Sequence, residues 1–226
     1  MKKIFITLVL FSFLIFNNAY SATGEATKYE VTMQKVELCE DSACATSYTI
    51  GDSSMVADIA SADAGATVGS YASTSGIPAG KTYSHLRVTL SRTFTITGTV
   101  VFGGGTCATD GGTDHAATQL LDAGTGTAAS TSMYLSNADT YGSDDGTGED
   151  AGTGITLNYS SPTYASSMTV SGSTAVLIYE LTSSYTKGLK APLIDISFNT
   201  ENALGAAEVT NCIMWVEEPY VSITIK

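Results

Sequence analysis

The chain has 226 residues, 43% hydrophobic and only 14% charged, with a formal net charge of −12. The acidic excess repels phosphate backbones and excludes nucleic acid as a natural partner. The polar remainder is dominated by Ser, Thr, Gly and Asn, which suits exposed strand faces and turns and leaves no long amphipathic helix.

The chain begins with Lys2 and Lys3, the apolar run from Ile4 to Phe16, and the small-residue end Ala19-Tyr20-Ser21. This pattern predicts a secretory signal peptide over residues 1–21, cleaved after Ser21. The run is too short for a membrane span of about 20 apolar residues, and no later segment is long enough. Loss of Lys2 and Lys3 takes the mature charge from −12 to −14 over residues 22–226, which read as one domain without a linker.

Tyr29, Val31 and Met33 alternate with polar residues, and the apolar phase then slips to Val36 and Leu38, predicting a strand with a bulge near Lys35. The four cysteines of an exported chain are expected to pair, with three connectivities open. Cys39 and Cys44 are close enough to close a hairpin loop, which leaves Cys107 for Cys212. Their spacing excludes a CxxC redox motif and, with no neighbouring histidine pair, a zinc site. Ser47 to Ile50 is expected to form a short strand, and Asp52 or Ser53 to cap a brief helix carrying Met55, Val56 and Ile59.

The stretch from Gly76 to Gly105 is the most informative in the chain. Pro78 and Gly80 predict a turn, since Pro fixes its own φ and Gly tolerates φ > 0. Leu86, Val88, Leu90, Phe94 and Ile96 then share one face of a long strand, opposite His85, Arg87, Thr89 and Thr95. Arg92 stands on the apolar face, so a bulge or the rim of the sheet is expected there.

Beyond Thr106 the chain turns small and polar, with a Gly/Asp-rich surface loop over about residues 136–154. Strands return at Ile155 to Tyr159, Ala175 to Leu181, Pro192 to Phe198, Ile213 to Val216 and Tyr220 to Ile225, with Glu217-Glu218-Pro219 interrupting the last two. The apolar mixture of Ala175 to Leu181 predicts a central strand buried on both faces, and the terminal strand must be paired.

No constellation announces chemistry. Asp139, Asp144, Asp145, Glu149 and Asp150 match neither an EF-hand nor a nonapeptide repeat and read as a solvated acidic loop without a metal. His115 near Asp110 and Asp114, and His85 on the central strand, lack a nucleophile motif. Lys35 and Lys81 have no marked isopeptide partner. Trp215 reads as core ahead of a sugar-stacking platform. Too few aromatics remain after signal removal for the girdles of a transmembrane barrel.

The run Ile77-Pro78-Ala79-Gly80-Lys81-Thr82-Tyr83-Ser84-His85-Leu86-Arg87-Val88, with the stretch from Met55 before it, resembles a pattern of exported bacterial β-sandwich domains. It is similar to a domain of unknown function in bacterial surface lipoproteins and, more loosely, to pilin-like and transthyretin-like sandwiches. A lipid-accepting cysteine is absent here. The resemblance implies an extracytoplasmic sandwich with Greek-key-like connections and carries over no catalytic residue.

The expected fold is therefore an all-β, largely antiparallel sandwich with one short helix at most. The expected role is that of an exported structural or adhesive surface protein, such as a filament subunit, without enzymatic activity or cofactor. Head-to-tail exchange of the strand in residues 22–38, taken as an edge strand, is the route to assembly. The alternative is a monomeric secreted or periplasmic binding module for a glycan or another small ligand.

Overall fold

The computed structural model describes residues 20–61, 75–102, 105–112, 121–123, 127–134, 165–190, 192, 194–208 and 212–225. The residues before Tyr20, expected to belong to a signal peptide, the expected acidic loop, His115 and the strand expected at 155–159 lie outside them. Among the described residues there are fifteen β-strands and no helix. In chain order they are β1 (Tyr20–Gly24), β2 (Ala26–Cys39), β3 (Ser47–Gly51), β4 (Met55–Asp58), β5 (Thr82–Ser91), β6 (Thr93–Phe102), β7 (Gly105–Ala108) and β8 (Leu121–Ala123). There follow β9 (Thr131–Tyr134), β10 (Ser167–Ser171), β11 (Thr174–Thr186), β12 (Ile194–Asn199), β13 (Leu204–Glu208), β14 (Cys212–Val216) and β15 (Tyr220–Ile225).

All paired strands are antiparallel and form a nine-stranded sheet, a four-stranded sheet ordered β1-β13-β14-β8, and the two-stranded ribbon β12-β15. The expected all-β sandwich is what the chain forms.

The axis of the large sheet is β2. One edge pairs with β4 and then β3: Glu30 with Asp58, Met33 with Met55, Val36 with Gly51. The other pairs with β6 and then β5: Glu30 with Thr95, Met33 with Leu90, Val36 with Val88. Residues 29–38 are thus not an edge strand. They are the most fully paired stretch described. The register shift falls between Met33 and Lys35, where the sequence slips phase, so that Met33 and Val36 are both buried.

β5 and β6 run end to end along β2, as the alternation of Leu86 to Ile96 requires. The turn before them has Gly80 at φ 80°, and its amide donates to the Lys187 carbonyl. At Arg92 the sheet divides. Before it, β5 pairs with β11, which pairs with β10; after it, β6 pairs with β9 and β7. Arg92 is buried, its amide donates to Ser173 O, and Nη1 donates to Gly172 O at 2.8 Å in the β10–β11 turn. A buried guanidinium is tolerated because backbone carbonyls receive it.

The second layer is divided in the same way. β1 and β13 lie against β6, whereas β15 lies against β11. The crossing over β6 is close: a Cβ on Gly98 would strike Glu25 O and Leu204, and one on Gly24 would strike Thr99 O. Glycine is required at both places by lack of space.

Two expectations change. Met55 to Asp58 is strand β4, because pairing with β2 outweighs the helical spacing of Met55, Val56 and Ile59. β11 is central, but only Ala175, Leu177, Tyr179 and Leu181 are buried; Glu180 is exposed on the other face. The cleavage expected after Ser21 falls inside β1, leaving Ala22 to Gly24 paired with Ala206 to Leu204. The terminal strand β15 is paired with β12 of the same chain.

Candidate binding site

Alternation along β2, β5 and β11 turns one file of apolar side chains from each strand toward the ribbon. Two strands cannot cover the face of a wider sheet. An apolar cavity of about 80 Å³ remains between the layers. Its floor is Tyr29, Val31, Met33 and Val36 of β2, Leu86, Val88 and Leu90 of β5, Phe94 of β6, Leu177 and Tyr179 of β11, with Ile59 and Met168 beside them. Its roof is Ile196 and Phe198 of β12 with Val221 and Ile223 of β15, and Val216 to Pro219 close one side.

Among the described residues, the only charged side chains in this lining are Glu217 and Glu218. They sit where the chain leaves the four-stranded sheet for the ribbon, and Pro219 after them prevents a continuous strand. Tyr29 Oη donates to the Glu217 carbonyl at 3.1 Å, and the Glu217 amide donates to Ala203 O, so both layers fix the corner. Glu217 Oε1 accepts Trp215 Nε1–H at 2.7 Å. Burial raises the Glu217 pKa and the Trp215 hydrogen bond partly offsets this.

Glu218 is the more perturbed acid. Its Oε1 accepts the Ala165 amide at 2.7 Å, whereas Oε2 is buried and, among the described residues, has no hydrogen-bond partner. Burial pushes its pKa up to about 7 from 4.5, against the hydrogen bonds from Ala165 and Tyr179 and with a further rise from the charge of Glu217. The site therefore combines an apolar chamber with one under-satisfied carboxyl, which titrates near neutrality.

A second polar cluster stands apart from the cavity. Glu37 Oε2 accepts Arg87 Nε–H and Oε1 accepts Lys35 Nζ–H, each at 2.8 Å, while Ser47 Oγ bridges Arg87 Nη2 and Glu37. Burial alone would raise the Glu37 pKa, but the hydrogen bonds and charges of Arg87 and Lys35 prevail and hold it at about 2. This network closes over the Cys39–Cys44 disulfide loop, where Arg87 Nη1 also reaches Cys44 O at 3.4 Å. It is a structural clamp: every charge in it is answered.

The residues singled out in the sequence are not brought together. His85 Nδ1 is hydrogen-bonded to the hydroxyl of its neighbour Ser84, which also donates to Glu40 O. Asp110 accepts from the Gly112 amide and Thr131 Oγ1, shaping a turn. Lys35 is ion-paired with Glu37 and Lys81 with Glu40. Trp215 is 2% exposed, lies over Gly205 and offers no stacking platform. Cys39 and Cys44 are bridged. Cys107 is buried and disulfide-bonded on β7, which contacts β14; Cys212 opens β14, and its side chain lies outside those described. Among the described residues, no group of three or more His, Cys, Asp and Glu side chains is placed to hold a metal ion.

Glu217 and Glu218 read in the sequence only as a break between strands. The available signal was an acidic pair set inside the apolar run from Ile213 to Val221. Comparison with known proteins returns nothing: no family matches the chain, and neither a curated protein nor a solved structure is found to be similar.

Proposed function

We propose that the protein is an exported, non-enzymatic β-sandwich module that binds a small, mainly apolar ligand between its layers. The observation that carries this is the cavity, lined by both layers and closed at one corner by a carboxyl whose Oε2 has no partner among the described residues. Apolar cavities too small or too dry to hold ordered water take apolar guests, and a cavity of about 150 Å³ suffices for benzene. This one accommodates a slimmer molecule or the end of a longer one. The basic and apolar N-terminal run and the Cys39–Cys44 bridge support export.

The test is xenon and 1-butanol binding to the mature chain, followed by NMR. Selective shifts of the Met33, Val88 and Leu177 methyl groups are expected. If neither probe perturbs them at saturating concentration, the chamber is closed to ligands and the proposal falls.

A structural or adhesive surface role is the second reading, favoured by the Thr- and Ser-rich, half-buried outer faces of β5 and β6. Such a protein would assemble without releasing β2, since that strand is held along both edges. Size-exclusion chromatography separates the readings: ladders support assembly, and a single monomer peak supports the binding module.

A further inference from the structure

We propose that the ligand is a small aliphatic ammonium ion, its alkyl chain lying among the apolar side chains of the cavity and its head hydrogen-bonded to Glu218. The inference rests on the binding-module reading and specifies the ligand's chemistry. Three observations converge on it.

Among the described residues, the lining contains two carboxylates and no Lys, Arg or His, so its uncompensated charge is negative. A ligand with a carboxylate or phosphate head would meet repulsion and no counter-charge. Glu218 Oε2, buried with no partner among the described residues, needs a donor, because an orphaned buried acceptor retains its full desolvation cost. An ammonium group has three donors and no acceptor, so it also suits the Tyr179 side of the carboxyl without demanding a second donor from the protein. Finally, the remainder of the lining is hydrocarbon and aromatic, Tyr29, Phe94 and Tyr179 included, which suits an alkyl chain.

The Glu217 carboxylate does not compete as the primary receiver, since its Oε1 is already engaged by Trp215. Burial favours a proton on Glu218 of the empty site below about pH 7. A bound ammonium replaces that proton, so binding is coupled to its release.

The experiment is an NMR titration of the whole mature chain at pH 8 and fixed ionic strength with n-butylammonium, 1-butanol and butyrate. Butylammonium is expected to bind about tenfold or more tighter than butanol, the factor of one charge-assisted hydrogen bond, and butyrate not to bind. Glu218→Gln should erase the preference, so that butylammonium binds no tighter than butanol in that variant. Glu217→Gln should keep most of the preference.

A measurement on the unmutated chain guards against a misfolded variant. From pH 8 to pH 5 butylammonium should lose affinity as Glu218 takes up its proton, while butanol should not. The other titratable groups facing Glu218 are Glu217, Tyr179 from β11 and Tyr29 from β2; the tyrosines do not ionise in this range, and Glu217→Gln isolates the remaining acid. If butanol and xenon enter but butylammonium binds no tighter, the ammonium inference is overturned and the binding module stands. If no probe enters, both fall.

Discussion

Two glutamates of opposite electrostatic fate give this chain a pH dependence with two limbs. Glu37 is held at about 2 by Arg87 and Lys35, so the folded state keeps its carboxylate where the unfolded chain, at 4.5, takes up a proton. Its stabilisation is fully present above pH 4.5 and is lost as pH falls toward 2. Glu218 works in the reverse sense. With a folded pKa of about 7 it retains a proton that the unfolded chain releases at 4.5, so stability declines from pH 4.5 to 7 and is level above. Each limb is worth about 2–3 kcal/mol at its full extent. Urea denaturation across pH 2–9 should show a maximum near pH 4–5. Glu37→Gln should flatten the acid limb and lower stability at pH 7, whereas Glu218→Gln should flatten the neutral limb and raise stability at pH 8. A Glu218→Gln protein less stable than the parent at pH 8 would contradict the assignment.

At the scale of elements, the small residues of β1, β6 and β13 decide how closely the layers approach. Gly98→Ala places a methyl against a backbone carbonyl and the Leu204 side chain, and neither can retreat without parting β13 from β6. A loss of about 1–3 kcal/mol is expected from overpacking of this kind, read as a fall in thermal midpoint. The same chemistry explains what was legible in the sequence. β5 and β6, the bulge by Lys35, the Gly80 turn and the break at Arg92 all follow from period-two alternation and its interruptions. β13 does not announce itself. Leu204-Gly205-Ala206-Ala207 has low strand propensity, and Gly205 has no side chain because the Trp215 ring lies against it. β4 was misread for a related reason: four residues carry too little periodicity to show that β2 will claim them. The site was hidden more deeply, since nothing local to Glu218 says that Ala165 and Tyr179, far away in the chain, will bury it.

Across the whole molecule, β2 and the cysteine connections hold distant parts together. Deleting residues 22–38 removes the strand to which β3, β4, β5 and β6 are all attached. The truncated chain is therefore expected to lose its β-sheet circular dichroism, where an exchangeable edge strand would leave a folded remainder. A Cys107–Cys212 bridge, enclosing a loop of ~100 residues, is expected to stabilise by ~4–5 kcal/mol, twice the value of ~2 kcal/mol for a short loop such as that of Cys39–Cys44. Non-reducing peptide mapping should recover the cross-linked pair, and free thiols at both positions would refute it. The pairing of β1 with β13 adds an order of events. Thr23 lies opposite Gly205, about 180 residues later, so β1 finds its neighbour only after β13 has been made. Contacts this remote in sequence form late and slowly. Until then β1 offers its backbone to any passing strand, the kind of open edge along which partly folded chains stick to one another.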